Sequence, residues 1–213
     1  MDDEARKRRA QAVLRGLRKL YPDARCELDF KTPLQLIIAT ILSAQCTDKR
    51  VNMVAPALFK KYPTARALAD ADPLALEGEI HSTGFFRSKA AALRAMAKTV
   101  AERFGGEVPR TMEELLELHG VARKTANVVL GSAYGIASGI VVDTHVIRLS
   151  YRLALTDEKD PVKIERDLVA VVPKKDWIHF GHALVWHGRR VCSARNPDCP
   201  GCPLNKVCPK RGI

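Results

Sequence analysis

Four cysteines fall between positions 192 and 208, Cys192, Cys199, Cys202 and Cys208, in the spacing C-x6-C-x2-C-x5-C. Burial in a core does not explain thiols gathered this closely in a basic loop, whereas a metal centre does, above all in a reducing compartment. Four thiolates can hold either a [4Fe–4S] cluster or Zn2+. Zinc sites more often use two CxxC knuckles, and here only Cys199-Pro200-Gly201-Cys202 has that form. Cys26 and Cys46 stand apart, without a CxxC partner, and read as ordinary buried or half-buried thiols. A second segment with chemical reach runs from Leu118 to Leu130, where His119-Gly120-Val121-Ala122-Arg123-Lys124 separates a short capped helix from an apolar one. A tight Gly-containing turn that opens a helix points the first backbone N–H groups outward, and the helix dipole strengthens them as an anion site. The same residues also fit a plain turn between helices with a solvated Arg-Lys pair.

The charge of the chain bears on what that anion would be. Over 213 residues Lys and Arg number 35 against 24 Asp and Glu, a formal net charge of +11. Such an excess favours polyanions, nucleic acid first, and makes a DNA phosphate the natural ligand of the hairpin. Charge alone fits a merely soluble basic protein equally well. The opening MDDEARKRRAQAVLRGLRKLY mixes acids and bases and has no apolar h-region. The most apolar run, Leu34 to Ala44, is far shorter than the ~20 residues of a membrane span. These features predict a soluble, cytoplasmic or nucleoid-associated protein with no membrane partner, and it is expected to act as a monomer.

The elements that must hold these residues are helical. Val13, Leu14, Leu17 and Leu20 line one face of a basic first helix, and the apolar helix 34 to 44 ends at Gln45. Thr47 caps a helix bearing Val51, Val54, Ala55, Leu58 and Phe59. Asp72-Pro73 and Asp160-Pro161 place a capping acid before a proline at the first helical position. Ser88 opens a helix whose Leu93, Met96, Val100 and Phe104 stop at Gly105-Gly106, and Thr111 with Glu114 forms a capping box. Asp143 reads first as the N-cap of a helix from Thr144 to Leu155. No pair of alternating runs is joined by a hairpin turn, so the fold is all-α, with about ten helices.

Together these residues carry a resemblance. The segment 118–130 resembles the helix-hairpin-helix of DNA repair glycosylases, and Val142-Asp143-Thr144-His145-Val146 resembles the loop and aspartate that complete it. With Leu42-Ser43-Ala44-Gln45, the Gly84-Phe85 turn and the terminal cysteines, the chain resembles the endonuclease III family from about residue 10 to residue 208. The resemblance implies two helical domains with a cleft between them. A six-helix domain would span 26–136 and end in the hairpin, and a discontinuous domain of 1–25 and 137–213 would carry a [4Fe–4S] cluster on Cys192, Cys199, Cys202 and Cys208. It further implies a bifunctional DNA glycosylase and AP lyase that removes oxidised pyrimidines from duplex DNA, with Lys124 as the Schiff-base nucleophile. For that role the Lys124 amine must be uncharged when it attacks. Asp143 would stabilise the charge developing on the sugar, and capping and catalysis can coexist in it.

Enzymes acting on a base take it out of the stack. Gln45 matches the family's gap-filling residue, and Phe85 stands where an aliphatic wedge is common; taken alone, Gln45 fits a helix cap and Phe85 a core position. His119, Gly120, Ala122 and Arg123 would grip phosphate at the hairpin, with His145 and Arg195 as further DNA contacts. Two departures stand out. The family pattern Leu-Pro-Gly-Val-Gly has His119 for its Pro and Ala122 for its second Gly. A Cβ at Ala122 costs roughly 1 kcal/mol or more if that residue needs φ > 0, which would weaken or re-aim phosphate binding. Two other readings remain: an adenine-mismatch glycosylase of the same superfamily, which lacks the lyase lysine and usually carries a further C-terminal domain, and a non-catalytic, cluster-bearing DNA-binding protein.

Overall fold

Helix starts that the sequence marks with Thr or Asp are the starts the protein uses. The computed structural model describes residues 3–213, so the first two positions of the 1–25 segment lie outside the described residues. In chain order the helices are α1 (Asp3–Leu20), α2 (Pro33–Leu42), α3 (Asp48–Lys61), α4 (Ala65–Ala69), α5 (Pro73–Ile80), α6 (Phe86–Arg103), α7 (Met112–Leu116), α8 (Arg123–Tyr134), α9 (Thr144–Arg152), α10 (Pro161–Val171) and α11 (Trp177–Arg190). Two 3-10 turns, His81–Thr83 and Lys174–Asp176, complete the regular structure, and no strand occurs among the described residues. The all-α fold expected from the sequence is the fold observed. No helix is long and apolar enough to cross a membrane among the described residues.

Seven helices open on a side chain that accepts a bond from its own first turn: Thr32, Thr47, Thr64, Asp72, Thr111, Asp143 and Asp160. Each such cap stabilises by ~1 kcal/mol. At Thr111 the bond from Glu114 N–H is present at 3.3 Å, but the reciprocal arm differs from a full capping box. The Glu114 carboxylate accepts from the Thr111 hydroxyl at 2.7 Å.

Three boundaries depart from the sequence reading. The apolar helix stops at Leu42, not Ala44, with Ser43 as C-cap, so Gln45 lies beyond it. Helix α6 starts at Phe86, two residues before Ser88, whose hydroxyl donates back to Phe85 O at 2.9 Å. Helix α9 ends at Arg152, because Ala154 turns the chain with φ +50°. The far end of α6 is as expected: Gly105 and Gly106 take φ +61° and +89°, and Gly106 N–H reaches back to Val100 O at 2.9 Å.

The chain divides into two compact units. One runs from Glu27 to Ile136 and holds α2 to α8 around Leu36, Ile37, Leu58, Leu68, Leu76, Leu93, Met96, Leu115 and Val129, all buried. The other combines the N-terminal segment through Cys26 with Ala137 to Ile213. Its core joins Val13, Leu14 and Leu17 of α1 to Val146 and Leu149 of α9, Ile164 and Leu168 of α10, and Phe180 and Leu184 of α11. Cys192, Cys202 and Cys208 lie against that core.

Candidate functional site

In the Glu27–Ile136 unit, the hairpin is made by Gly120. Its φ of +78° suits glycine, and a Cβ there would stand 3.3 Å from Ala92 Cβ on α6 and 3.7 Å from Ile41 on α2. Ala122, by contrast, has φ −91° and ψ 171°, ordinary extended backbone. The strain foreseen for Ala122 if it needed positive φ is therefore absent, and its Cβ sits there at no conformational cost. Helix α8 follows without a side-chain cap, since Ala122 has no acceptor to offer. Arg123 and Lys124 occupy its first turn with exposed side chains, and His119 is exposed beside them. An uncapped helix start flanked by cations is a place where an oxyanion can bind.

Gln45 and Phe85 have a feature in common that the sequence did not announce. Both are exposed and both hold left-handed backbone, with φ +51° and +48°. Phe85 is 63% exposed, which removes the core reading of its ring. Gln45 follows α2 by three residues and does not cap it. Non-glycine residues in this region cost on the order of 1 kcal/mol or more and persist only where the surroundings enforce them. Between the two segments lies Lys89 of α6, absent from the sequence reading: it is 4% exposed and donates to Leu42 O and Thr83 O at 2.7 and 2.8 Å. Cys46, beside Gln45, and Cys26 are half-buried thiols, as expected.

In the other unit Asp143 is the N-cap of α9. Both bonds, from His145 N–H at 2.8 Å and Val146 N–H at 2.9 Å, fall on Oδ1. Capping thus occupies one carboxylate oxygen and leaves Oδ2 for other work. His145 is half-buried against Gly188, and burial lowers its pKa from the usual 6.5. Its Nδ1 lies 3.2 Å from Arg148 NH2, an arrangement a neutral ring can accept.

Two arginines of α9 hold the start of the cysteine loop. Arg148 donates to Gly188 O and Cys192 O, both at 2.9 Å. Arg152, buried, donates to Ser193 O at 2.7 Å, Ala194 O at 2.8 Å and Cys192 Sγ at 3.2 Å. On α11, burial pulls the His187 pKa down to about 4, so its ring is neutral near pH 7. A neutral ring that accepts from the Tyr21 hydroxyl at Nδ1 (3.1 Å) has its proton on Nε2, 3.4 Å from Cys202 Sγ.

All four C-terminal cysteines line one cavity, together with Leu149, Arg152, His187 and Leu204. Burial pushes the Cys202 and Cys208 thiols up, and the neighbouring cysteines add to it. Four thiolates cannot share this pocket unless cationic charge sits among them. Among the described residues, however, no three His, Cys, Asp or Glu side chains close on a single-ion position. Arg195, between the first two cysteines, is exposed. Sequence reasoning placed the cysteines but missed Arg148 and Arg152. Their spacing of four puts both on one side of α9, but that side also carries Thr144, His145 and Tyr151, so no break in an apolar stripe marked them in advance.

Comparison with known proteins follows the same lines. Residues 38–174 match the HhH-GPD superfamily of base excision DNA repair proteins. An endonuclease III from Synechocystis sp. is 57% identical over 205 residues, which is 96% of this chain and 94% of that protein. A solved non-covalent endonuclease III–DNA complex superposes with a TM-score of 0.91 at 40% identity, covering 96% of this chain and 95% of that one. A trapped covalent intermediate of endonuclease III with DNA gives the same TM-score, 0.91, and 40% identity, over 96% of both chains.

Proposed function

Because this chain belongs to the endonuclease III family, within the HhH-GPD superfamily of base excision DNA repair proteins, we propose that it is a bifunctional DNA glycosylase and AP lyase. It excises oxidised pyrimidines from duplex DNA and nicks the abasic product. Within the molecule, the observation that carries this reading is the start of α8. An exposed lysine stands on an uncapped first turn, behind a glycine turn at φ +78° where a Cβ would be strained and crowd Ala92. In this reading segment 26–136 is the hairpin domain and 1–25 with 137–213 the cluster domain.

The neutral Lys124 amine attacks C1′ of an extruded nucleotide as the N-glycosidic bond breaks, and the base leaves with the bonding pair and takes up a proton. The amine loses a proton and the sugar ring opens, leaving an iminium between Nζ and C1′. That iminium acidifies the 2′ hydrogens. Removal of one breaks the C3′–O3′ bond and expels the 3′ phosphate, and water then hydrolyses the iminium to free the lysine. The Asp143 carboxylate stabilises the positive charge developing at C1′ and helps to move these protons. Its unbonded Oδ2 is compatible with that role. His119, Gly120, Ala122 and Arg123 contact backbone phosphate, with Arg195 and His145 in support, and Gln45 and Phe85 enter the duplex where the nucleotide has left.

Cys192, Cys199, Cys202 and Cys208 would hold a [4Fe–4S] cluster. What supports the cluster over zinc is that all four thiols line one cavity while only Cys199 and Cys202 form a CxxC knuckle of the kind zinc sites favour. When bound, such a cluster cross-links a loop that is otherwise poor in regular structure. Borohydride reduction tests the nucleophile. Wild type is expected to form a covalent adduct with thymine-glycol or abasic duplex, and Lys124→Ala to form none; an undiminished adduct in the variant assigns the amine elsewhere. Iron and sulfide analysis tests the metal, and stoichiometric zinc without iron overturns the cluster.

A further inference from the structure

Lys89 is the one buried lysine of the described residues, and nothing in the chemistry above uses it. It sits on the stripe of α6 that continues through Leu93, Met96 and Val100, all fully buried. No described ion pair involves it. Its ammonium is held by two main-chain carbonyls, Leu42 O at 2.7 Å and Thr83 O at 2.8 Å. Burial lowers its pKa, with the nearby Cys46 thiol acting in the opposite sense. A cation placed there is costly, since desolvation is offset only by neutral acceptors.

What those two carbonyls precede gives the cation a use. Leu42 is the last residue of α2, so its carbonyl is among those a helix C-terminus leaves without a helical partner, at the negative end of the dipole. Three residues later comes Gln45, exposed, with φ +51°. Thr83 closes the 3-10 turn, and after Gly84 at φ +71° comes Phe85, exposed, with φ +48°. Four non-glycine residues among those described take positive φ, and two of them lie three and two residues beyond the pair of carbonyls that this one ammonium binds. Strained backbone at exposed tips needs an anchor that removes the relaxed alternatives. Hydrogen bonds from a single cation also fix one tip relative to the other.

We propose that Lys89 is a positioning residue for base extrusion: its ammonium fastens the segments carrying Gln45 and Phe85 to a common point, so that the two side chains enter the duplex as a rigid pair. This rests on the reading of Gln45 and Phe85 as inserting residues. Lys89 touches neither DNA nor the reacting atoms. Its effect is on the step in which a paired nucleotide leaves the stack, and not on the bond-breaking that follows.

The test separates those steps with Lys89→Met, which keeps the length and apolar stem but removes the cation, in the cluster-loaded protein. Single-turnover excision of thymine glycol from a fully paired duplex is expected to fall tenfold or more. β-Elimination at an abasic site in single-stranded DNA, where nothing must be extruded, stays within twofold of wild type, and the borohydride adduct there persists. A 2-aminopurine placed opposite the lesion brightens on binding wild type and fails to brighten with the variant. Lys89→Gln, which keeps one donor, gives an intermediate loss on paired duplex and serves if the methionine variant does not fold. Equal losses on paired and single-stranded substrates, or an unchanged 2-aminopurine response, overturn the proposal. Failure of the underlying reading looks different. If Gln45→Ala and Phe85→Ala leave paired excision at the wild-type rate, the insertion roles are wrong; if wild type itself forms no adduct, the enzyme assignment is wrong.

Discussion

Asp143 caps α9, and the proposed mechanism gives it a second, catalytic job that one substitution can separate from the first. Asparagine caps a helix about as well as aspartate, so Asp143→Asn retains the bonds from His145 and Val146 N–H and leaves thermal stability within about 2 °C. It cannot carry the charge or the proton, so excision is expected to drop about 100-fold or more under single-turnover conditions. Asp143→Ala loses the activity and also ~1 kcal/mol of stability. Near-normal excision by the asparagine variant would reduce Asp143 to a cap. The capping role was readable from residue type and place; the free oxygen needed coordinates. Ala122 shows the opposite balance. Glycine at that position in related hairpins suggested a positive φ, yet the observed φ of −91° suits any residue. Ala122→Gly is therefore expected to cost about 0.5–1 kcal/mol in stability through backbone freedom, with no gain in duplex affinity by fluorescence anisotropy. His145 adds a pH dependence whose sign follows from burial. Its folded pKa lies below the unfolded 6.5, so the contribution is fully present above pH 6.5. It is lost as acid protonates the unfolded chain preferentially, down through the lowered folded value. Urea midpoints measured across that window should fall with pH, and His145→Gln should flatten the slope.

At the level of elements, capping chemistry explains what the sequence made legible and what it hid. Thr47, Asp72, Thr111 and Asp160 start helices where their side chains said they would, because a short polar acceptor answers to local geometry alone. One polar marker misled: Ser88 sits inside α6, because Gly84 and Phe85 turn the chain at positive φ and the helix begins at Phe86. Lys89 itself was visible in principle, four residues before Leu93 and seven before Met96, on the buried stripe. Periodicity places a residue on a face but does not say which carbonyls await it there. Helix α9 makes the same point for the cysteine loop. Arg152 reaches Ser193 O, Ala194 O and Cys192 Sγ from α9, forty residues away in the chain for the last of these, a span no local pattern covers. Arg152→Met strands those acceptors, a cost of about 1–3 kcal/mol for each buried one. With the proposed [4Fe–4S] cluster in place, the expected result is faster loss of visible absorption on adding an iron chelator, with far-UV helicity unchanged at 25 °C. Bleaching at the wild-type rate would mean that the loop holds its shape without the guanidinium.

For the molecule as a whole, the net charge of +11 is plain in the composition, but its distribution is not. Across the two compact units it divides unevenly. The Glu27–Ile136 unit carries 14 Lys and Arg against 12 Asp and Glu, while the unit formed by both ends of the chain carries 21 against 12. The hairpin unit is thus close to neutral, and most of the positive field belongs to the unit that bears the cysteine loop. Non-specific attraction to DNA comes from phosphates neutralised and counterions released, so it should follow the second unit. Arg195 and Lys206, both exposed in that loop, are natural places to measure it. If each neutralises a phosphate, the double change to Ala lowers the slope of log K against log salt for undamaged duplex by about 2. Removing the same charge from exposed Lys60 and Lys98 of the other unit should leave the slope nearly unchanged. Equal reductions in the two pairs would show that only total charge matters. Single-turnover excision at saturating DNA should be the same in all of these proteins, because phosphate contacts remote from the sugar bind ground state and transition state alike.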